Sequence, residues 1–278
     1  MTRPRLSWIP VRLMDDLIVR RSLSLDDWLA KARDFGLEGV EVYHGFLALG
    51  QDQLVAGLER FDLVVSMLTC SPDFAHPDPE ARLQALREMK EMARRAAQIG
   101  ARQIRVTTGI RHPGLDEATT IPWIVENLTE LAEFAQPLGV TLALENHYKD
   151  RYWSAPDFAQ RGEVFLRVYE RLRPTAVMIN FDCSNQLMVR EDPVALLEQV
   201  KDRVISIHAS DRRAGSYQHS AIGEGEVDYD AIFRVLRGAG FAGWVSAEDG
   251  NPEGDAGFAR SLRFLRAKLT EFWPAHAT

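Results

Sequence analysis

Cysteine is scarce. Cys70 and Cys183 are the only two in 278 residues, so neither a disulfide framework nor a cysteine-built zinc site is expected. No run of about 18 apolar residues occurs, which excludes a membrane-spanning helix. The amino terminus lacks the basic stretch and apolar run of a secretory signal. Together these absences place the chain, as an expectation, in the reducing cytoplasm and away from membranes. Positive charge is not in excess either. The formal net charge is -7, which argues against a nucleic-acid groove as the main surface. No glycine fingerprint follows the first strand-like run, and no glycine-rich phosphate cradle stands out. Phosphorylated and unphosphorylated ligands both stay open.

What is present is a repeated strand ending. Thr141-Leu-Ala-Leu-Glu145 is an apolar run that stops at a carboxylate. Val177-Met-Ile-Asn-Phe-Asp182, Val204-Ile-Ser-Ile-His208 and Trp244-Val-Ser-Ala-Glu248 follow the same pattern. Side chains alternate along a strand. Leu142, Leu144, Val177, Ile179, Phe181, Ile205, Ile207, Val245 and Ala247 therefore share an apolar face. Thr141, Ala143, Met178, Asn180, Ser206 and Ser246 share the other face with Glu145, Asp182, His208 and Glu248. The first face suits burial under helices. The second aims four potential metal ligands at one point.

The rest of the chain keeps this rhythm. Strands are expected at Leu6–Ile9, Gly39–His44, Asp62–Leu68 and Arg102–Thr108. Helices are expected from the Ser24/Asp27 capping signal to Gly36, near Gln51–Arg60, and over Pro79–Ile99 and Ala118–Leu138. Further helices are expected over Ala155–Leu172, Pro193–Lys201, Tyr229–Ala239 and Ala256–Phe272. Eight strand–helix pairs in this length predict an α/β fold, a (β/α)8 TIM barrel forming one domain over residues 1–278. Helix-to-strand turns are tight. Strand-to-helix loops such as Thr69–Asp78, Gly109–Glu117 and Asp211–Asp228 are long, which puts the chemistry at that end.

Three carboxylates and an imidazole suit one divalent cation, Mn²⁺ first, with Co²⁺, Mg²⁺ or Zn²⁺ as alternatives. A sugar carbonyl and its neighbouring hydroxyl fit the two positions left open on an octahedral ion. Proton abstraction beside a polarised carbonyl is then within reach of a nearby carboxylate. Glu145 and Glu248, on the fifth and eighth strands, flank the ion, with Asp182 and His208 between them. A lone strand-terminal carboxylate is more often a helix cap or a rim ion pair; four at equivalent strand ends argue for a site.

The chain resembles the xylose isomerase-like barrels, the sugar phosphate isomerase/epimerase superfamily. The resemblance rests on Gly36-Leu-Glu-Gly-Val-Glu41, Leu144-Glu-Asn-His147, Asn180-Phe-Asp182, Ile207-His-Ala-Ser-Asp211, Gly223-Glu-Gly-Glu-Val-Asp228 and Ala247-Glu248. It implies that Glu145, Asp182, His208 and Glu248 bind the metal, and that the two glutamates also move protons as an acid/base pair through an enediolate-like intermediate. The implied activity is isomerisation or epimerisation of a sugar or sugar-like polyol. Metal-dependent dehydratases acting on keto-sugar, inosose or dehydroshikimate-like substrates resemble the chain too, which makes a lyase the second expectation. A non-catalytic sugar-binding barrel, or one subunit of a complex, is the third. Many members carry histidine where this chain has Asn185, and in the epimerases that histidine helps to hold substrate. The DNA-repair branch uses three zinc ions and many histidines; seven histidines and Glu226-Val-Asp228 in place of an Asp-x-His pair speak against it.

Substrate contacts are expected from Arg105, His147, Asn185, Asp211, Arg212 and Trp153. Arg105 faces inward with Gln103 and Thr107, and either grips a substrate oxygen or pairs with inward-facing Glu41. Asp211 either orients His208 or caps the next loop. Arg212 lies in a long loop where solvation is the simpler reading for any one residue. Trp8, Phe74, Tyr148 and Trp153 are weighed as an apolar wall. A homo-oligomer is allowed but not required.

Overall fold

The computed structural model describes residues 2–274. Eight strands form one parallel sheet: β1 (Arg5–Ile9), β2 (Gly39–Tyr43), β3 (Val64–Thr69), β4 (Gln103–Val106), β5 (Thr141–Glu145), β6 (Met178–Asp182), β7 (Val204–Ala209) and β8 (Trp244–Glu248). Their spatial order is β1-β8-β7-β6-β5-β4-β3-β2. Each strand lies beside its successor and β8 returns to β1, which is the expected (β/α)8 barrel. The remaining seam, between β1 and β2, is bridged by Glu38. Its N–H donates to Leu6 O at 3.2 Å, and its carboxylate accepts from Leu6 N at 2.9 Å.

The helices cover the outside: α1 (Leu25–Asp34), α2 (Leu47–Arg60), α3 (Pro79–Gln98), α4 (Glu117–Ala135), α5 (Gly162–Leu172), the single turn α6 (Asn185–Met188), α7 (Pro193–Val200), α8 (Tyr229–Gly238) and α9 (Gly254–Phe272). Ser24 and Asp27 form the expected capping box on α1. Asp78 and Asp192 cap helices that begin with proline, where the missing N–H costs nothing. Among the described residues no helix is long and apolar enough to cross a membrane.

Leu142, Leu144, Ile179, Phe181, Ile207, Val245 and Ala247 are buried beneath the helices, as the alternation requires. The inward side is small and polar. Ser206 donates to Asn180 Oδ1 at 2.9 Å, with Ser246 and Ser7 also buried. Small residues low in the barrel leave room above them, at the strand ends.

Two segments depart from the sequence reading. The helix expected over Ala155–Leu172 begins only at Gly162. Residues before it form a loop in which Asp157 turns inward, accepting from Thr108 Oγ1 and Ala159 N and bridging to Ile110. Pro156 and this aspartate hold the chain extended. Between β1 and α1, a 3-10 turn at Val11–Leu13 and a π turn at Asp15–Val19 were not expected. They lie over the barrel mouth and bury Leu13, Met14 and Leu17.

Candidate active site

Strand register gathers the four candidate ligands. Asp182 pairs directly with His208, and His208 with Ser246, so Glu248 projects two residues beyond. Glu145 pairs with Asn180 on the other side. Ligand atoms of Glu145, Asp182, His208 and Glu248 all lie within 4.8 Å of one another. Glu145, His208 and Glu248 line a cavity of about 280 Å³, with Asp182 fully buried against them; its walls also include Tyr43, Arg105, His147, Tyr148, Asn185, Arg212 and His219.

His208 is held at both ring nitrogens. Nδ1 faces Glu145 Oε1 at 3.1 Å and Glu248 Oε2 at 3.4 Å. Nε2 faces both oxygens of Glu41, at 2.9 and 3.1 Å. The Thr69 hydroxyl donates to the same Glu41 carboxylate. Glu41 is fully buried and was not singled out for this role from sequence. An Nε2–H held by Glu41 leaves Nδ1 for the ligand cluster, the carboxylate–histidine–metal arrangement common at metal sites. The only signal in the sequence was a charged residue on the inward face of β2, and its partner depends on which strand lies across the barrel.

Arg105 lines the cavity, but its ion-pair partner is not the one weighed from sequence. Its Nε lies 2.5 Å from Glu145 Oε2, and Nη1 donates to Cys70 O and Ser71 Oγ at 2.8 Å each. Its partner is Glu145, not Glu41. Burial alone would raise the Glu145 pKa, but Arg105 and then His208 outweigh it and bring it down to about 2. Asp182 moves the opposite way: burial, then Glu248 and Glu145, hold its pKa well above the ordinary aspartate value. Burial opposes the charge on His208, yet Glu41 and Glu145 overcome it and keep its pKa well above 6.5. The group is therefore short of positive charge, and its donors, one imidazole nitrogen and three carboxylates, fit a divalent cation.

Asp182 is also fixed from behind. Its Oδ1 accepts from the N–H groups of Ser184 and Asn185. Ser210 donates to its Oδ2 at 2.9 Å, and Ser184 lies 2.6 Å from Ser210 as its donor. Arg212 Nε donates to Ser184 at 2.8 Å. A directed chain of hydrogen bonds thus runs from the guanidinium to the ligand.

Of the remaining residues named from sequence, His147, Asn185 and Arg212 line the cavity, as does Tyr148. Arg212 is buried rather than solvated. Two others do not line it. Asp211 accepts from the N–H groups of Arg212, Gly223, Gly225 and Val227, so it anchors the loop after β7. Trp153 packs edge-on against His147, ring centroids 5.4 Å apart. Trp8 belongs to the outer core, stacked on Phe258 at 4.7 Å, and Phe74 is fully buried. The sequence reading missed Arg12, Tyr43 and Lys149 as cavity residues, and weighed His219 only as a loop residue that could meet a substrate anion.

A family model described as xylose isomerase-like TIM barrel matches residues 29–268. An uncharacterised protein of Methanocaldococcus jannaschii is 24% identical over 194 residues, 64% of this chain; the match spans 62% of that protein's length. Among solved structures, 3-keto-D-glucoside 4-epimerase from E. coli superposes with a TM-score of 0.76 at 17% identity, covering 96% of this chain and 100% of the epimerase. The IolI protein, solved with a bound zinc atom, superposes with a TM-score of 0.76 at 18% identity, covering 96% and 97%.

Proposed function

The chain belongs to the xylose isomerase-like TIM barrel family, and from that premise we propose that it is a divalent-metal-dependent isomerase or epimerase acting on a sugar or sugar-like polyol. The observation that carries this is the convergence of Glu145, Asp182, His208 and Glu248, three of which line an open cavity. Those four residues would hold one cation, His208 through Nδ1. Mn²⁺ is the ion proposed for so oxygen-rich a set; the zinc atom in IolI supports a metal of this charge. Bound there, the cation would polarise a substrate carbonyl and acidify the adjacent C–H.

The chain's own residues supply the rest. Glu145 and Glu248 both line the cavity and serve as the pair that takes and returns the proton. Arg105 keeps Glu145 ionised and fixed in direction. Glu248 is the more open of the two, with 17% of its side chain exposed against 1% for Glu145. It is placed to meet substrate first. Glu41 sets the tautomer of His208. Dehydration, the same proton abstraction followed by loss of a β-hydroxyl, is the second reading. The two buried guanidinium groups of the cavity, Arg105 and Arg212, favour it, because they exceed what a neutral sugar requires.

Incubation with ketoses in D2O, with Mn²⁺ supplied, tests the proposal. Deuterium gained beside the carbonyl without loss of water supports isomerisation or epimerisation, and a new conjugated enone absorbance moves the assignment to dehydration. Glu145→Gln and Glu248→Gln should each abolish net conversion of substrate in a folded protein. Net conversion surviving in either removes that residue from the pair.

A further inference from the structure

Arg212 is 3% exposed, yet it lines the cavity. Its partners are neutral acceptors. Nε donates to the Ser184 hydroxyl, and Nη2 lies 2.9 Å from His219 Nε2. His219 Nε2 faces a guanidinium N–H, so it accepts there and carries no proton on that nitrogen. Nη1 has no hydrogen-bond partner among the described residues. Three other arginines of the same cavity each have a carboxylate within reach: Arg12 with Asp249, Arg105 with Glu145 and Arg151 with Asp15. Arg212 has none within 4.0 Å among the described residues.

A buried charge with no counter-charge is costly, and proteins retain one where a ligand completes it. The carboxylate linked to Arg212 through Ser184 and Ser210 is Asp182, which the proposed cation would occupy. Lys149, also at the cavity wall, has no ion pair among the described residues. The surroundings favour a carboxylate over a phosphate. The backbone N–H groups of Gly223 and Gly225, which would otherwise build a phosphate cradle in this loop, are spent on Asp211. What stays open is a planar guanidinium edge, which matches a planar carboxylate.

We infer that Arg212 is an anion subsite and that the substrate is a sugar acid, carrying a carboxylate at the end remote from its carbonyl. This rests on the proposed sugar chemistry and narrows its substrate class. The anion completes the charge on Arg212, and the Ser184–Ser210 chain ties its arrival to the orientation of Asp182.

Titration calorimetry on the Mn²⁺-loaded protein tests the subsite. The probes are D-fructuronate, D-fructose and D-fructose 6-phosphate. The first two share every stereocentre and differ only in the carboxylate at C6. Wild type should bind the acid at least about tenfold more tightly than D-fructose, the factor expected of a charge-assisted hydrogen bond. In Arg212→Gln the ratio should fall to about one, and Arg212→Lys should retain part of it, with circular dichroism confirming that both variants fold. Equal binding of acid and neutral sugar, binding of neither, a preference that survives in Arg212→Gln, or a phosphate that outcompetes the carboxylate overturns the subsite. D-fructose bound without preference leaves the proposed function standing while this inference falls. Failure of wild type to hold Mn²⁺ overturns the reading beneath it instead.

Discussion

Replacing Glu41 by Gln should weaken metal binding without touching a ligand. The carboxylate is fully buried, with both oxygens near His208 Nε2 at 2.9 and 3.1 Å and the Thr69 hydroxyl on Oε1. Glutamine keeps the volume but turns one acceptor into a donor. The Thr69 hydroxyl can rotate away; the ring N–H of His208 cannot. Either the amide oxygen serves His208 and its NH2 meets Thr69, or the ring turns and Nδ1 leaves the cluster. Outer partners of metal-bound histidines typically contribute 10–100-fold in affinity, roughly 1.4–2.7 kcal/mol. Competition between the protein and a fluorescent chelator for Mn²⁺ reads this directly, with circular dichroism as the control for folding. Affinity within about twofold of wild type would mean that Glu145 and Glu248 alone orient the ring, and the role given to Glu41 would be wrong.

Asp211→Ala should destabilise the chain by at least about 3 kcal/mol, since four backbone N–H groups lose a charged acceptor at once; urea unfolding measures it, and a loss under 1 kcal/mol would deny Asp211 its anchoring role. His219 gives a pH signature. Its folded pKa, about 4, lies below the ordinary 6.5, so on acidification the unfolded chain takes up the proton first, and stability falls as pH drops from about 6.5 to about 4. The integrated effect is roughly 3 kcal/mol. Urea midpoints across that range should fall more steeply in wild type than in His219→Gln, and parallel curves would contradict the assignment.

The barrel and the convergence of the four candidate ligands were legible because both follow from local rules. Alternation within each strand fixes which residues point inward, and the short helix-to-strand turns identify the working end. Glu145, Asp182, His208 and Glu248 each lie at the carboxyl end of a strand, or one residue short of it, where no knowledge of neighbours is needed. Contacts across the barrel were not legible in the same way. Arg105 was weighed against Glu41 because both face inward, but Arg105 on β4 sits in register with Ala143 on adjacent β5, and Glu145 projects just above. Glu41 reaches His208 from β2, a strand far from β7 in sheet order. Stagger and curvature decide such pairs, and neither is written in a single strand. Arg212 was named as a substrate contact, but its burial was not expected, because its loop is long and polar. The loop instead folds back through the Arg212–His219 bridge and the clamp of Asp211, which buries the guanidinium.

The site's charges give one account of these contacts. Glu41, Glu145, Asp182 and Glu248 place four carboxyl groups around one imidazole, and Arg105 is the guanidinium that pairs within the group. Such a set survives burial only if protons or cations offset it. In the chain alone the offset falls to His208 and Asp182, the two groups whose pKa values are driven up, the direction that favours a proton on each. Both belong to the proposed ligand set. A divalent cation among them carries the same charge as the two protons it would displace, so the exchange is close to neutral in charge and costs the barrel little reorganisation. It also makes metal uptake release protons and tighten as pH rises. Glu145, already ionised beside Arg105, needs no proton removed, and Glu41 keeps its hydrogen bond to His208 in either state.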